Sequence, residues 1–333
     1  MEREEFIFYI LNSNIFKKWH FFKYHFAFQA ASLEFVHPLA KTITDLAFEL
    51  ETLIPGAGKD YIDKIGAIND RQNDTKHYDQ LLQVLAELII VHKAATYNWG
   101  PKGEVKLKYE PKIGTSNKNP ELTITTDSLN IGIEVKAPEF VQKHNERGRK
   151  PYQLPSRSPL INKHEKAEVM LPRDNPLKDF LKSADKKFEE FKKADPNFYG
   201  ILVIVWDDFI YEPITALTSP QAGLFTENSF AKDSKGNILK FPNVDCVILT
   251  RHLLPIKCGT RDEPLPDFSL HPLDFGRDGE FPFKVFIQNP WNKLQVPGDV
   301  IKCFQVLAPS PRLGAEYLPI DYITWMNIDK PKE

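Results

Sequence analysis

One run of residues constrains the fold more than any other, because Gly200-Ile-Leu-Val-Ile-Val-Trp206 is apolar at every position. A strand of this kind has no face suited to water, so both of its faces must be covered. Val244-Asp-Cys-Val-Ile-Leu249 has a similar character. Strands that are apolar on both faces are typical of sheets that lie between layers of helices, so we predict an α/β fold.

The residues before this run predict the rest of the core. Apolar side chains recur at helical spacing from about His77 to Thr96. Asn175-Pro176 supplies the start of a second amphipathic helix. Between these helices, alternating or apolar runs separated by turn residues predict three strands, at 104–109, 120–125 and 130–136. The order helix, three strands, helix, strand predicts a mixed central β-sheet flanked by helices.

The chain divides into three regions around this core. We expect residues 1–75 to form an aromatic-rich N-terminal helical region and residues 76–250 to form the core. Residues 251–333 are rich in proline and short β-like runs, and are expected to be a C-terminal β-rich extension. Between 137 and 174 periodicity disappears, and several prolines argue against a long regular element there.

Composition limits the class of protein. The formal net charge is −2, so contact with nucleic acid must come from a local basic patch. Lys17, Lys18 and Lys23 interrupt the aromatic stretch of residues 6–35, which leaves no apolar span of ~20 residues for a membrane helix. The three cysteines are far apart and form no Cys-x-x-Cys pair. We therefore expect a cytoplasmic protein with reduced thiols, no structural zinc and no membrane partner.

Two acids and a lysine are predicted to meet on the hairpin of residues 120–136. Glu134 and Lys136 are two positions apart on one strand, so their side chains project from the same face. A hairpin brings Glu121 alongside them. Mg²⁺ takes oxygen ligands, and Glu121, Glu134 and the backbone carbonyl of Val135 are candidates to hold it. Lys136 is then placed to orient a water or to stabilise charge on a phosphate.

The order of elements, together with Pro120-Glu121 and Glu134-Val135-Lys136, resembles the PD-(D/E)xK (restriction-endonuclease-like) nuclease superfamily over about half of the chain. The resemblance implies a restriction-endonuclease-like core and Mg²⁺- or Mn²⁺-dependent hydrolysis of phosphodiester bonds, with DNA favoured as the substrate. By the same resemblance, Glu87 on the preceding helix is a candidate third acid and metal ligand. The superfamily more often has aspartate where this chain has Glu121. Such enzymes serve in restriction, repair or defence, and a homodimer is compatible with cutting two strands.

A basic segment follows the motif. Residues 141–193 contain 14 Lys and Arg and 8 acids, a local excess of positive charge that suits a phosphate backbone. The candidate nucleic-acid contacts in this segment are Lys143, Arg147, Arg149, Lys150, Arg157, Lys182 and Lys186. The alternative is a solvated loop followed by an ordinary charged helix face.

Each candidate site residue is also compatible with a purely structural role. Glu134 and Lys136 can be a surface ion pair, Glu121 a solvated turn acid, and Glu87 an ordinary position on an amphipathic helix. For the whole chain, the alternatives are an inactive nucleic-acid-binding scaffold of the same fold, an RNA-cleaving nuclease, or an interaction module in which the hairpin motif is accidental.

Overall fold

The computed structural model describes residues 1–17, 21–68, 75–100, 104–113, 119–149, 152–153, 169–170, 174–207, 209–266, 268–277, 281–306 and 325–326. The helices are α1 (Arg3–Leu11), α2 (Asn14–Lys17), a 3₁₀ helix (Phe21–Phe26), α3 (Pro38–Leu53), α4 (Ala57–Ala67), α5 (Thr75–Thr96), α6 (Val141–Arg149), α7 (Asp174–Ala194), α8 (Tyr211–Thr218), α9 (Leu253–Thr260) and α10 (Gly298–Phe304). The strands are β1 (Phe28–Gln29), β2 (Glu34–Phe35), β3 (Lys106–Tyr109), β4 (Leu122–Thr125), β5 (Asn130–Lys136), β6 (Tyr152–Gln153), β7 (Val169–Met170), β8 (Tyr199–Val205), β9 (Cys246–Thr250), β10 (Lys284–Gln288) and β11 (Trp325–Met326).

Six strands form one mixed sheet in the order β10-β9-β8-β5-β4-β3. Strands β3, β4 and β5 are antiparallel neighbours, whereas β5, β8 and β9 run parallel, and β10 returns antiparallel to β9. The predicted α/β fold with a mixed central sheet is therefore confirmed. Strand β10 comes from the region after residue 250 and lies at an edge of this same sheet.

Helices cover both faces of the sheet, and alternation along the strands decides which residue meets which layer. Ile131, Ile133 and Val135 of β5 belong to the same apolar core as α3, α4 and α5. The opposite face of the sheet packs against α7 and α8 around Phe188 and Trp206. Every residue of β8 is buried, as the apolar run predicted.

Helix α7 approaches the sheet closely because of a glycine. A Cβ added to Gly132 would lie 2.2 Å from Phe198 Cζ and 3.1 Å from Phe188 Cε1. The Phe188 and Phe198 rings lie with their centroids 5.9 Å apart. Since the position facing these rings has no side chain, α7 sits close enough to β5 for its lysines to reach the sheet.

Helix α6 lies in the segment that was predicted to be irregular. Its sequence, Val-Gln-Lys-His-Asn-Glu-Arg-Gly-Arg, has no apolar stripe, so hydrophobic periodicity could not indicate it. The helix begins where Asp79 Oδ1, a side chain of α5, accepts hydrogen bonds from the backbone amides of Phe140 (2.8 Å) and Val141 (3.2 Å). Its N-terminal amides are thus satisfied by a residue about sixty positions away in the chain, which local sequence cannot reveal.

All three cysteines are buried free thiols. In the part of the chain that the structure describes, no helix combines the length and apolarity needed to cross a membrane.

Candidate functional site

The C-terminal end of β5 carries the two motif residues. Glu134 is fully buried, and Lys136 Nζ is in direct contact with Glu134 Oε1. The Lys136 side chain is 24% exposed, so its ammonium group reaches both the buried carboxylate and the solvent. The alternative of a surface ion pair is wrong for Glu134, because this carboxylate is fully buried.

Glu121 lies just before β4, beside the end of β5. Its backbone amide donates to the carbonyl of Ile133 (2.9 Å), which holds the two strands together at this point. Its side chain is 10% exposed, so it is not a solvated turn acid. The predicted hairpin therefore brings Glu121 next to Glu134 and Lys136.

A lysine of α7 joins the two acids. Lys187 Nζ lies 2.8 Å from Glu134 Oε1 and 3.2 Å from Glu121 Oε1. Neither carboxylate oxygen of Glu134 accepts a hydrogen bond of normal geometry from a described residue, although Oε1 makes both ion-pair contacts. One oxygen of this buried carboxylate thus faces two ammonium groups, and the other has no described partner.

Burial and charge act against each other in this group. Burial raises the pKa of Glu134, although the ammonium groups of Lys136 and Lys187 oppose the shift. Burial alone would lower the pKa of Lys187, but the Glu134 and Glu121 carboxylates outweigh it and the net pKa is raised. Lys187 therefore stays charged, and the charged form of Glu134 depends on the neighbouring ammonium groups.

Glu87 of α5 lies on the other side of Glu121. Its Oε1 accepts hydrogen bonds from the hydroxyl of Tyr61 and the ammonium of Lys64, both at 3.0 Å. Burial, with a further contribution from the charge of Glu121, raises the pKa of Glu87 to about 7, although Lys64 opposes the shift. Glu87 is thus not an ordinary surface position, since its side chain is 18% exposed and tied into a network.

Glu110 completes a set of three carboxylates. Oxygens of Glu87, Glu110 and Glu121 all lie within 4.8 Å of one another, close enough to share a metal ion. Glu110 follows β3 with a φ of 41°, a left-handed conformation that is uncommon for glutamate. Its carboxylate lies 2.8 Å from Lys64 Nζ. Lys64 therefore has the same relation to Glu87 and Glu110 that Lys187 has to Glu121 and Glu134.

We call these eight connected side chains the carboxylate–lysine cluster. It consists of Asp60, Lys64, Glu87, Glu110, Glu121, Glu134, Lys136 and Lys187. With every carboxyl group ionised, five acids against three lysines leave an excess of two negative charges, which one divalent cation would balance. Hard divalent cations take carboxylate oxygens, so the donor set and the unpartnered oxygen of Glu134 fit Mg²⁺ or Mn²⁺.

The predicted nucleic-acid contacts are spread over several elements. Lys182 and Lys186 are exposed on α7 and Arg149 is exposed on α6, whereas Lys143 is half-buried and 3.5 Å from Glu146. The Arg147 side chain, Lys150 and Arg157 lie outside the described residues.

The backbone carbonyl of Val135, which was predicted as a metal ligand, accepts a hydrogen bond from Lys136 Nζ (3.3 Å).

A cavity of 590 Å³ lies beyond the end of β5. Among the lining residues that the structure describes are four acids and one lysine, namely Glu139, Lys143, Glu146, Asp174 and Asp179. The positive excess counted over residues 141–193 is therefore not found on this part of the wall.

A second group of possible metal ligands, His25, His37 and Asp262, lies away from the sheet. His37 begins α3, where its Nδ1 accepts a hydrogen bond from the amide of Leu39 (3.1 Å). Its other ring nitrogen lies 2.6 Å from Asp262 Oδ1. Both nitrogens of His37 are therefore already engaged, and the helix start explains the position of this ring.

Sequence reasoning did not identify four residues of the carboxylate–lysine cluster. Lys187 had a local indication, because it lies three positions after Ala184 and four before Phe191, at the edge of the apolar stripe of α7. Lys182 and Lys186, named instead, face solvent. Asp60, Lys64 and Glu110 come from elements whose approach to Glu87 only the tertiary structure reveals.

Comparison of the chain with protein-family models, curated proteins and solved structures found no match. What the site does must therefore be inferred from its own residues.

Proposed function

We propose that the chain is a divalent-metal-dependent nuclease that hydrolyses phosphodiester bonds in DNA through a restriction-endonuclease-like core. The observation that most supports the proposal is the environment of the fully buried Glu134. This carboxylate shares Lys187 with Glu121, and it also contacts Lys136 at the end of β5. Buried carboxylates that are held apart from water and only partly satisfied are costly unless they bind something.

The proposed metal ligands are the carboxylates of Glu121 and Glu134, with Glu87 as an accessory acid and the Val135 carbonyl as a further oxygen. A bound Mg²⁺ or Mn²⁺ would polarise the phosphate and lower the pKa of a bound water. Glu110, like Glu87, lies beside Glu121, and it is a further accessory acid in the proposed site.

In the proposed reaction a water oxygen attacks phosphorus and one phosphorus–oxygen ester bond breaks. The attacking water gives up one proton to the solvent, and the electron pair of the broken bond stays on the departing oxygen, which takes a proton. Lys136 can orient the water or stabilise negative charge on the phosphate oxygens, because its ammonium group lies at the boundary between Glu134 and solvent. The exposed Arg149, Lys182 and Lys186 can contact the phosphate backbone.

A cleavage assay tests this function. Single- and double-stranded DNA and RNA are incubated with the protein in Mg²⁺, Mn²⁺ or EDTA, using wild type, Lys136→Met and Lys192→Met. We expect metal-dependent cleavage of DNA that falls at least ~100-fold in Lys136→Met. Lys192→Met is the matched control, because Lys192 pairs with Asp245 away from the cluster. It should retain cleavage wherever it is folded.

The same assay separates the alternative functions. Cleavage of RNA but not DNA would replace the substrate and keep the chemistry. Binding of nucleic acid without cleavage of any substrate would favour the inactive scaffold, and neither binding nor cleavage would overturn the proposal.

A further inference from the structure

We propose that Lys187 is a built-in counter-ion that occupies the cation position between Glu121 and Glu134 and must leave when a divalent cation binds. This inference rests on the proposed function for the identity of the metal ligands. It goes further by assigning a role to a residue outside the motif, as a positioning residue that sets the affinity of the site for metal.

The contacts of Lys187 are those of a bridging cation. Its ammonium group lies 2.8 Å from one motif carboxylate and 3.2 Å from the other. A divalent ion held between Glu121 and Glu134 would take the position between the two carboxylates that the Lys187 ammonium group now fills. An ammonium group and a metal ion cannot share that space, so the two must compete.

Lys187 is anchored at this position by the packing of its helix. Phe188, the next residue of α7, packs beside Gly132 and fixes the helix on the sheet. The Lys187 side chain is 21% exposed, so solvent is within its reach once it is released. Lys136 of β5 makes its own contact with Glu134 Oε1, so Glu134 retains one lysine partner when Lys187 moves.

Lys192, five residues later on α7, pairs with a buried carboxylate whose two oxygens both accept hydrogen bonds. It lies 2.7 Å from the fully buried Asp245. Both oxygens of that carboxylate also accept hydrogen bonds, from the Gly200 amide (2.7 Å) and the Asn292 side chain (3.2 Å). Asp245 therefore has no oxygen left for a metal, whereas Glu134 has one without a described partner.

The test compares Lys187→Met with Lys192→Met and Lys187→Arg in the full chain. Thermal unfolding is followed in EDTA and in rising Mn²⁺, and Mn²⁺ affinity is measured by calorimetry. Both Met variants should unfold at lower temperature than wild type in EDTA, because each removes a lysine that neutralises a buried carboxylate. Only Lys187→Met should bind Mn²⁺ more tightly, by at least about tenfold, the size expected for losing one close charge pair.

Tighter binding should also appear as a larger Mn²⁺-induced rise in unfolding temperature for Lys187→Met than for wild type. Lys187→Arg keeps the charge and should bind Mn²⁺ close to wild type. Equal or weaker binding by Lys187→Met would overturn the inference. So would an equal gain in Lys192→Met or Lys187→Arg, since the effect would then not depend on a charge at this position.

The failure of this inference is distinguishable from failure of the proposed function. If the wild type cleaves nothing but Lys187→Met binds Mn²⁺ more tightly, the nuclease proposal falls and the counter-ion stands. If the wild type cleaves with Mn²⁺ and Lys187→Met gains no affinity, the nuclease stands and the counter-ion falls.

Discussion

Two fully buried carboxylates, one on a strand of the central sheet and one just before a strand, differ in their hydrogen-bond partners. Asp245 and Glu134 are both 0% exposed, and each pairs with a lysine of α7. Burial raises the pKa of both. Asp245, before β9, has each oxygen engaged by a lysine, a backbone amide or an amide side chain, whereas Glu134 has one oxygen with no described partner.

Burial and a lysine partner therefore do not by themselves mark a functional site. Asp245 has the satisfied environment of a structural ion pair, in which each oxygen has a hydrogen-bond donor. Glu134 is equally buried but has an oxygen without a described hydrogen-bond donor, and it lies next to a second acid that shares its lysine. The difference in hydrogen bonding, rather than in burial, separates the structural pair from the candidate site.

The largest expected effect is on the free energy of unfolding of the protein when Asp245, rather than Glu134, is replaced. Asp245→Asn should lower the free energy of unfolding by about 3–4 kcal/mol, because Lys192 loses a buried partner. Glu134→Gln should change it by less than about 1 kcal/mol, since Lys187 keeps Glu121 and Lys136 reaches solvent. Urea unfolding of the two variants in EDTA measures both values.

Cleavage and metal binding should show the reverse order for the same two variants. Folded Asp245→Asn should keep both, and Glu134→Gln should lose both. A Glu134→Gln protein that still cleaves, or an Asp245→Asn protein that is folded and inactive, would reverse the assignment of the two carboxylates.

A second substitution tests whether the close packing of α7 on β5 is needed to place Lys187 beside Glu134 and Lys192 beside Asp245. Gly132→Ala places a methyl group against Phe198 and Phe188, so it should lower the free energy of unfolding by ~2–3 kcal/mol. Chemical denaturation measures the loss, and Ser183→Ala on the half-buried part of the same helix serves as a control of small effect. A neutral Gly132→Ala would mean that the close approach of α7 to β5 is not needed.

The pH dependence of stability sharpens the role of Glu87. Its pKa is about 7 in the folded chain against an ordinary value of 4.5. The folded state therefore holds the proton to higher pH than the unfolded chain, and stability falls as pH rises from about 4.5 to about 7. Because the side chain is largely buried, this loss should amount to roughly 3 kcal/mol.

Glu87→Gln removes the titrating group and should flatten that part of the stability profile, measured by urea unfolding in EDTA at pH values from about 5 to about 8. Adding Mn²⁺ to wild type should also reduce the loss at the upper end, because the cation favours the charged carboxylate. An unchanged slope in Glu87→Gln would show that another group is responsible for the pH dependence.

The smallest expected effect on the free energy of unfolding comes from replacing Asp79, a buried acid that accepts hydrogen bonds from backbone amides. Asp79 is 6% exposed and accepts the amides of Phe140 and Val141 at the start of α6. Asp79→Ala should cost about 1 kcal/mol, as is typical of lost helix caps. Hydrogen exchange should show the amides of α6 opening first, and uniform exchange across the chain would contradict a local cap.

The sequence predicted the elements whose causes are local. Helix α5, the β4–β5 hairpin, α7 and β8 follow from periodicity, turns and an apolar run, and they bring Glu121, Glu134 and Lys136 together as expected. Helix α6 was missed because its start depends on Asp79, far away in the chain. Lys187 was missed for a related reason. Its contacts with Glu121 and Glu134 make it part of the site, and the sequence of its own helix does not reveal those contacts.

The central claim is that Glu121 and Glu134 form a divalent-metal site, and crystals soaked in Mn²⁺ test it most directly through anomalous scattering. We predict an anomalous peak in contact with both carboxylates, with the Lys187 ammonium group moved away from them. A peak elsewhere, or no peak with Lys187 still between Glu121 and Glu134, would contradict the claim.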